Sequence, residues 1–311
     1  MHVAIFGATG LVGQTIHNLL IQRCFPFTKL SLFASSRSVN DTIQDVNDAD
    51  WTNIDLAFFA AGSEVSRTYI PLALDAKTTV IDSSSAFRET APLVIPEINC
   101  HLIENAPLIA SPNCTASIML MALHPLHAES PIKRIVASTY QAASGGGQSM
   151  MDQLIDNPLA FPLHLHDSFT DSLYSGEEQK VIFETRKILN TPHLPISIRC
   201  VRVPVLRAHS ISLNIEFENT IDPKVALANA QGIQLMDRPT PMDATGIDDV
   251  LCGSIRPDPY HPNTFEMWVV GDQLLKGAAL NAVQIGEKVF RNYEKCGFKM
   301  GFCANTTFRR R

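Results

Sequence analysis

The sequence has no apolar run of the roughly 18 residues that a helix needs to cross a bilayer, and no strong excess of charge of one sign. Its 311 residues include 25 Lys and Arg and 31 Asp and Glu, giving a formal net charge of −6. That mild acidity argues against a nucleic-acid partner, and we expect the short basic stretch at 309–311 to be solvated. A membrane partner and a nucleic-acid partner are therefore not expected.

The seven cysteines are odd in number and show no paired short spacing, which argues against a disulfide framework. The sequence also opens without a signal-peptide pattern. We therefore expect a cytoplasmic protein with reduced cysteines. Internal repeats and low-complexity linkers are missing too, and apolar residues make up 45% of the chain, so about two folded domains are expected.

The N-terminal segment has the pattern of a dinucleotide-binding fold. An apolar strand, HVAIF, runs into GATGLVG and then into the amphipathic stretch QTIHNLLIQR. The glycines suit a tight turn, a close approach of backbone to pyrophosphate, and close packing of helix on strand. The helix N-terminus then receives the negative charge. The cofactor contacts predicted here are Gly7, Thr9, Gly10, Leu11, Val12 and Gly13.

The end of the second strand, KLSLFAS, points to NADP rather than NAD. Ser36, Arg37 and Ser38 lie where NAD enzymes usually carry an acidic residue for the ribose hydroxyls. A cation flanked by hydroxyls suits a 2′-phosphate instead. The alternative is that Arg37 is an ordinary surface arginine.

Further β-rich runs at 55–62, 78–85 and 107–111 alternate with helical patterns. This alternation predicts a Rossmann-like, doubly wound parallel sheet that binds ligands beyond the carboxyl ends of its strands. Gly62 ends one of these runs and is therefore a further predicted cofactor contact.

The segment SPNCTAS places Cys114 between a turn-forming Pro-Asn pair and an apolar helix. Unpaired N–H groups and the helix dipole lower the pKa of a thiol at such a position, and the thiolate is the nucleophilic form. We therefore predict an ionised, exposed Cys114 that faces a nicotinamide. The alternative is an inert core cysteine, which is the commoner case for a lone cysteine.

The second half of the chain contains a strand pattern that runs into a glycine-rich turn at 133–148. It also contains long alternating segments at 199–218 and 265–274, which indicate a mainly antiparallel sheet. We predict an α+β domain there and a long final helix that returns to the first domain. The predicted division is 1–117 for the NADP-binding domain, 118–274 for a catalytic and dimerisation domain, 275–295 for the returning helix and 296–311 for a tail.

Five ordered motifs, GATGLVG, SPNCTAS, STYQAASGGG, RVPVLRAHS and WVVGDQLLKGAALNAVQIGE, resemble the aspartate-β-semialdehyde dehydrogenase family over nearly the whole chain before the tail. The resemblance implies NADPH-dependent reductive dephosphorylation of L-aspartyl-4-phosphate to aspartate semialdehyde and inorganic phosphate. That reaction lies on the route to lysine, threonine, methionine and, in bacteria, diaminopimelate. A homodimer formed through the second domain is implied as well.

The resemblance also implies a covalent mechanism. Cys114 attacks the acyl phosphate to give a thioester, and hydride from NADPH then reduces it to a hemithioacetal. His209 matches the acid/base histidine that serves the collapse of this adduct, with a pKa near its ordinary value of about 6.5. Gln141 matches the residue that holds the substrate near the thiol. Taken alone, His209 would be an ordinary strand histidine and Gln141 an amide that caps the turn.

By the same resemblance, a second set of polar residues binds the substrate. Arg202 matches the residue that grips the α-carboxylate, Glu177 the one that meets the ammonium, and Arg88 and Lys180 the phosphate-binding pair. Asn113, beside the nucleophile, completes the predicted set. Glu177 and Lys180 would otherwise be a surface ion pair on one helix face. On one flat strand, Arg202 and the histidine seven residues later would face opposite sides, unless Pro204 marks a bulge or an edge that relaxes this offset.

The remaining predicted cofactor contacts are Ser144, Gly145 and Gln273. The segment 149–176 is shorter than expected for the family. The pattern HLHD at 164–167 lacks a supporting cluster of metal ligands, so we predict no metal.

Two alternative functions stay open: a non-catalytic, cofactor-binding paralogue, and a related reductase acting on another acyl phosphate, such as N-acetylglutamyl phosphate, or on a CoA thioester. Retention of the nucleophile and histidine disfavours the paralogue, and the PNCT sequence disfavours the N-acetylglutamyl phosphate reductase. The phosphate-binding pair disfavours a CoA substrate.

Overall fold

The computed structural model describes residues 1–159, 161, 163–166 and 173–295. The strands of these residues form two sheets, and the predicted tail at 296–311 lies outside the described residues. None of the helices in the described ranges is long and apolar enough to span a membrane.

The first sheet is parallel throughout. Its strands are β1 (His2–Phe6), β2 (Lys29–Ala34), β3 (Ile43–Asp45), β4 (Leu56–Phe59), β5 (Thr79–Asp82) and β6 (Leu108–Ala110). They lie in the order β3-β2-β1-β4-β5-β6, with α1 (Leu11–Gln22), α2 (Ser63–Asp75) and α3 (Pro96–Asn99) in the connections. The strand order reverses at β1, so a ligand crevice is expected beyond the carboxyl ends of β1 and β4. The predicted Rossmann-like fold is confirmed.

The second sheet is mixed. Its strands are β7 (Ile132–Gln141), β8 (His164–Leu165), β9 (Ile196–Arg202), β10 (His209–Phe217), β11 (Ile233–Leu235), β12 (Val250–Pro257) and β13 (Thr264–Gly271). They lie in the order β11-β12-β13-β10-β7-β9-β8, where β7–β9 and β11–β12 are parallel and the other pairs antiparallel. The helices in this half and beyond are α4 (Cys114–Glu129), α5 (Gln148–Asp156), α6 (Gly176–Ile188), α7 (Pro223–Ala228), α8 (Pro241–Ala244) and α9 (Leu280–Lys295). The prediction of a second domain with a mainly antiparallel sheet is confirmed.

Both faces of the first sheet are covered, which explains why β1 is apolar at nearly every position. Ile5 packs with Ile16 of α1 and Val283 of α9, on one face of the sheet. Phe6, the next residue, packs on the other face against Ile70 of α2 and stacks on Phe33. The C-terminal helix therefore contributes directly to the core of the N-terminal sheet.

Two elements differ from the sequence prediction. The segment 199–218 forms two strands rather than one continuous stretch, because β9 ends at Arg202 and β10 begins at His209. These strands lie on opposite sides of β7. The predicted helix 275–295 begins as a π-helix, Leu275–Ala279, before α9. The domain boundary predicted after residue 117 stays a prediction.

The glycines after β1 allow a test of how closely α1 packs on the turn that follows this strand. A Cβ on Gly13 would lie 2.2 Å from the carbonyl oxygen of Gly7, whereas a Cβ on Gly62 would meet nothing within 4 Å. Gly13→Ala should therefore force α1 away from β1 and lower the free energy of unfolding by about 1–3 kcal/mol. Gly62→Ser is the matched control and should not lower it, since a Cβ there meets nothing within 4 Å and serine is a favoured residue at the N-cap of α2. Urea denaturation measures both, and equal stability of the two variants would contradict the packing.

Candidate active site

Cys114 is the first residue of α4, as the sequence predicts. Several hydrogen bonds of Asn113 hold the turn that precedes it. The Asn113 side-chain oxygen accepts hydrogen bonds from the N–H groups of Thr115 (2.9 Å) and Ala116 (3.2 Å). Its side-chain nitrogen donates to Glu177 at 2.8 Å. Asn113, predicted as a substrate residue, is thus also the N-cap of the helix that carries the thiol.

Glu184 is a buried carboxylate of this site that the sequence analysis missed. One of its oxygens accepts the N–H of Asn113 at 2.5 Å, and the other accepts from Arg88 at 2.9 Å. Its side chain is only 1% exposed, and burial raises the pKa of Glu184 while Arg88 opposes that shift. Glu184 follows Glu177 by seven residues, two turns along α6, and this inward-facing repeat is the signal that could have identified it.

Arg88, the predicted phosphate ligand, is committed to the protein in this structure. Its Nε donates to the Ser111 carbonyl, and one terminal nitrogen donates to the Ser83 carbonyl, each at 3.0 Å. The other terminal nitrogen pairs with Glu184. Arg88 therefore braces the two loops that follow β5 and β6, and its role toward phosphate stays a prediction.

His209, the first residue of β10, faces the thiol. The Cys114 Sγ and the His209 Nε2 are 3.5 Å apart, and the other ring nitrogen accepts the N–H of Ala142 at 3.1 Å. The imidazole is fully buried, whereas Cys114 is partly exposed. Two residues that are distant in the sequence thus meet in the arrangement expected of a nucleophile and its histidine partner.

The protonation states differ from the sequence prediction. Burial and then the Glu177 carboxylate raise the pKa of the Cys114 thiol to about 11, against the opposing effects of Arg88 and Arg202. The predicted lowering by the helix N-terminus is wrong because burial outweighs it. Burial, and next the charge of Arg202, lower the pKa of His209 to about 3. Both groups are therefore neutral at pH 7.

Arg202 and Gln141 are neighbours through the pairing of β7 with β9, and both side chains are buried. Arg202 donates to the carbonyl of Ala142, and Gln141 donates to the Thr139 hydroxyl at 3.3 Å. The objection that Arg202 and His209 face opposite sides of one strand does not apply, since they lie on separate strands. All these groups meet at the end of β7.

Glu177 and Glu178 are adjacent in α6, and the structure gives them different roles. Glu177 approaches Lys180 at 3.4 Å, and the Lys180 side chain is 45% exposed. Glu178 instead forms a capping box with Ser175 and accepts the N–H of Cys200 at 3.1 Å, while being 1% exposed. The charge of Glu177 acts on the Cys114 thiol, so Glu177 is the candidate substrate ligand of the two, while Glu178 is structural.

The predicted nucleotide residues lie at the carboxyl end of the first sheet. Gly10 is the N-cap of α1 and no side chain caps it, so N–H groups of the first turn remain available to an anion. A Cβ on Gly7 would lie 2.7 Å from the Ala60 carbonyl oxygen, so this turn requires glycine. The cradle fits a pyrophosphate. Arg37 is exposed in a short helix directly after β2, and Gly62 caps α2 beyond β4.

Ser144, Gly145 and Gln273 lie next to the histidine. Gln273 is buried, with its side-chain nitrogen donating to the Ser144 hydroxyl and its oxygen accepting the N–H of Ala208 at 2.8 Å. A Cβ on Gly145 would lie 3.1 Å from the His209 ring. Both ends of the Gln273 amide are thus engaged by the protein, and cofactor contact by these residues stays a prediction.

The π-helix packs directly on the nucleophile. A Cβ on Gly277 would lie 3.0 Å from the Cys114 Cβ, and the same segment contacts α1. The sequence analysis placed Gly277 within an ordinary helix and missed this contact. Short π-helical segments are frequent at functional sites, and this one contacts both α1 and the nucleophile.

The HLHD pattern forms no visible metal centre in the part that is described. His164 pairs with Arg202 between β8 and β9, and Asp167 lies outside the described residues. Among the described residues, no group of three or more His, Cys, Asp or Glu side chains could hold a metal ion.

Comparison with known proteins places this site in a family. Residues 2–106 match the model for the NAD binding domain of semialdehyde dehydrogenases, and residues 123–276 match the model for their dimerisation domain. An aspartate-semialdehyde dehydrogenase of Synechocystis sp. is 43% identical over 326 residues, covering 92% of this chain and 96% of the relative. The chain belongs to the aspartate-semialdehyde dehydrogenase family. The family predicted from the five motifs is confirmed.

Solved structures of aspartate-semialdehyde dehydrogenases agree with the fold. The crystal structure of aspartate semialdehyde dehydrogenase II from Vibrio cholerae has 39% identity and a TM-score of 0.90, covering 94% of this chain and 99% of that one. The same Vibrio enzyme complexed with ASA gives a TM-score of 0.90 at 38% identity. An oxidoreductase fold of this family is therefore established for the chain over both sheets.

The raised thiol pKa predicts slow chemical modification at neutral pH. Alkylation of Cys114 by iodoacetamide in the free protein should accelerate with rising pH and level off only near the thiol pKa of about 11. Peptide mass spectrometry reads the rate, with the exposed Cys24 and Cys100 as internal references. A plateau for Cys114 below about pH 8.5, the ordinary pKa of a free thiol, would contradict the burial argument.

Proposed function

We propose that this chain catalyses the reversible, NADPH-dependent reductive dephosphorylation of L-aspartyl-4-phosphate to L-aspartate 4-semialdehyde and inorganic phosphate. The biosynthetic routes served are those to lysine, threonine, methionine and diaminopimelate. The observation that carries the proposal is the 3.5 Å approach of the Cys114 sulfur to His209, next to a glycine cradle. Relatives that carry the aspartate-semialdehyde dehydrogenase name, and the Vibrio enzyme complexed with ASA, support the substrate assignment.

In the proposed mechanism the Cys114 sulfur attacks the acyl phosphate, the thiol proton leaves with the departing phosphate, and the acyl group remains on sulfur as a thioester. When bound, NADPH supplies the hydride for its reduction. The resting thiol is neutral, so the charges that favour its anion, Arg88 and Arg202, matter most during attack. The hydrogen bonds of Asn113 hold the first turn of α4, so the sulfur keeps one position while the acyl group is transferred to it and then reduced.

Substrate binding uses the polar groups around the thiol. We assign the α-carboxylate to Arg202, whose fork geometry suits bidentate contact, and the ammonium to Glu177. Lys180, the exposed cation next to Glu177, receives the departing phosphate. The buried charge of Arg88 adds to the positive electrostatic potential at the site. Gln141, at the end of β7, orients the acyl group toward the sulfur.

The glycine turn and the segment after β2 bind the cofactor in this proposal. Gly7, Gly10 and Gly13, with Thr9, Leu11 and Val12 between them, hold the pyrophosphate against the N-terminus of α1. Ser36, Arg37 and Ser38 hold the 2′-phosphate, and the nicotinamide half lies toward a second group of residues. That group comprises Gly62, Ser144, Gly145 and Gln273.

The most direct assay is oxidation of aspartate semialdehyde in the presence of phosphate, followed by formation of NADPH. We expect turnover that requires phosphate, and Cys114→Ser should abolish it because the oxygen of serine is a far weaker nucleophile at neutral pH. NADP should still bind to that variant, as measured by calorimetry. Cys24→Ser, at an exposed cysteine, is the control and should retain turnover.

Two outcomes of this assay would overturn the proposal. Appreciable turnover by Cys114→Ser would refute the covalent mechanism. A wild-type protein that is silent with both NADP and NAD would favour the non-catalytic paralogue.

Selectivity for NADP has its own test. Arg37→Ala should raise the KM for NADP while leaving the KM for NAD almost unchanged, since only the 2′-phosphate loses a partner. The ratio of kcat/KM for the two cofactors should fall by roughly tenfold, the value of one lost charge-assisted hydrogen bond. An unaltered ratio would remove Arg37 from the site. Arg67→Ala, on α2, is a control for loss of a surface charge.

We also propose a homodimer formed through the outer face of the second sheet. The region matches a model described as a dimerisation domain. The outer face carries Tyr140, whose ring is tilted against that of Trp268 with 5.4 Å between the ring centroids, beside Val136 and Val201. Val136→Arg should shift the mass measured by sedimentation from dimer to monomer, because a buried unpaired charge opposes association. Val225→Arg, on the exposed side of α7, should not. A monomeric wild-type protein would contradict the proposal.

A further inference from the structure

The strand that begins with His209 lies beside the strand that leads into the π-helix. His209, the first residue of β10, is paired with Gly271, the last residue of β13. The residues just before β10 and just after β13 therefore continue next to each other beyond the end of the sheet. One of these segments leads to the histidine, and the other leads to Gly277, which packs on Cys114. A group that joins the two segments therefore controls the separation between the histidine and the thiol.

Asp272, directly after β13, joins these segments through a fully buried carboxylate. Its Oδ2 accepts the Nε–H of Arg207 at 2.8 Å and the N–H of Gly246, in the loop after α8, at 2.7 Å. Its Oδ1 accepts the N–H of Leu274 at 2.9 Å and that of Leu275 at 3.4 Å, at the start of the π-helix. One carboxylate thus holds both the residue two positions before the histidine and the element that packs on the thiol.

Between Arg207 and the histidine, Ala208 has a backbone conformation that alanine seldom adopts. Its φ is +71°, in the left-handed region, which is disfavoured for residues other than glycine by a factor of about 5 to 30 in population. Among the described non-glycine residues with positive φ, only Ala208 is buried. Its N–H donates to the side-chain oxygen of Gln273 at 2.8 Å. Such a conformation persists only where the surroundings impose it, and it is concentrated at functional sites.

We propose that Asp272 is a positioning residue of the active site. Through Arg207 it holds Ala208 in the left-handed conformation. That conformation sets the direction in which β10 begins, and so the 3.5 Å approach of His209 to the Cys114 sulfur. The proposal rests on the proposed function, because its main readout is turnover.

Loss of this link should affect the rate more than the binding of substrate. Displacement of a catalytic group by about 1 Å can lower turnover by about 10². The proposed substrate ligands Glu177 and Lys180 lie on α6, and the glycine turn that holds the pyrophosphate precedes α1. These elements do not pass through the link at Asp272. A variant without the link should therefore have a lowered kcat and nearly unchanged KM values.

The test measures kcat and KM for phosphate-dependent oxidation of aspartate semialdehyde in Asp272→Asn and Arg207→Met. Asparagine has one acceptor oxygen in place of two, so it cannot hold both Arg207 and the start of the π-helix. Methionine removes only the Arg207 donor, at a partly exposed position, so this second variant should fold. In both variants kcat should fall about tenfold or more, and each KM should change by less than about twofold.

The matched control breaks an ion pair elsewhere on the same strand. Glu216→Gln removes the partner of Lys133 near the far end of β10. This variant should retain the wild-type kcat, because its ion pair is remote from the start of the strand.

A second substitution separates positioning from general support of the fold. Glycine adopts the left-handed region without the cost that alanine has. Ala208→Gly added to Arg207→Met should therefore raise kcat by at least about fivefold over Arg207→Met alone. The assays are run well below the unfolding temperature of each variant, so a change in stability alone does not alter kcat.

A readout that needs no turnover follows the His209 ring in the free protein. In the full chain labelled with ¹⁵N at histidine, the His209 signals, assigned with His209→Asn, should move in Arg207→Met. They should do so because the ring leaves its 3.1 Å hydrogen bond with the N–H of Ala142. Adding Ala208→Gly should return the signals toward their wild-type positions, and Glu216→Gln should leave them in place.

Three results would overturn the proposal. These are a wild-type kcat in Arg207→Met, an effect confined to KM, and no recovery of kcat when Ala208→Gly is added. If the wild-type protein turns over and Arg207→Met does so equally well, the positioning role fails and the function stands. If the wild-type protein is silent, the proposed function fails, while the NMR comparison still tests how His209 is held.

Discussion

The first turn of α4 is the constraint on which the site depends. Asn113 closes that turn with its side chain, and its own N–H is held by the buried carboxylate of Glu184. Arg88 pairs with the same carboxylate, so the charge is not left alone in the interior. Removing one partner of such a buried pair typically costs about 3–5 kcal/mol. The position of the Cys114 sulfur therefore follows from a network that contains no reacting atom.

The site lies where the two sheets meet, and glycine makes the approach possible. The first sheet brings the thiol to its carboxyl edge, and the second brings His209 from the start of β10. Gly277 lets the π-helix contact the Cys114 backbone, and α9 then continues into the core beneath β1. Stability of the N-terminal sheet and placement of the nucleophile thus share one segment of chain. A larger residue at 277 would affect both.

Features encoded locally could be predicted from the sequence, and features set by burial could not. The apolar strands, the glycine turn and the helix that begins at Cys114 follow from patterns of a few adjacent residues. The Glu184 carboxylate did not stand out because only its partners, about seventy and a hundred residues away in sequence, make it part of the site. The prediction of a lowered thiol pKa failed for the same reason, since the effect of the helix N-terminus is small beside the desolvation of the partly exposed Cys114 thiol by its surroundings. The break between β9 and β10 carries Pro204, a signal that the sequence analysis noted without resolving two strands.

The central claim is that Cys114 carries the acyl group, and trapping that group tests it most directly. With aspartate semialdehyde and NADP⁺ but no phosphate, the aldehyde should be oxidised onto sulfur, leaving an aspartyl thioester. Peptide mass spectrometry should find the added acyl mass on the peptide that contains Cys114, and added phosphate should remove it. An adduct on another cysteine such as Cys24, or no adduct on a protein that turns over, would contradict the account.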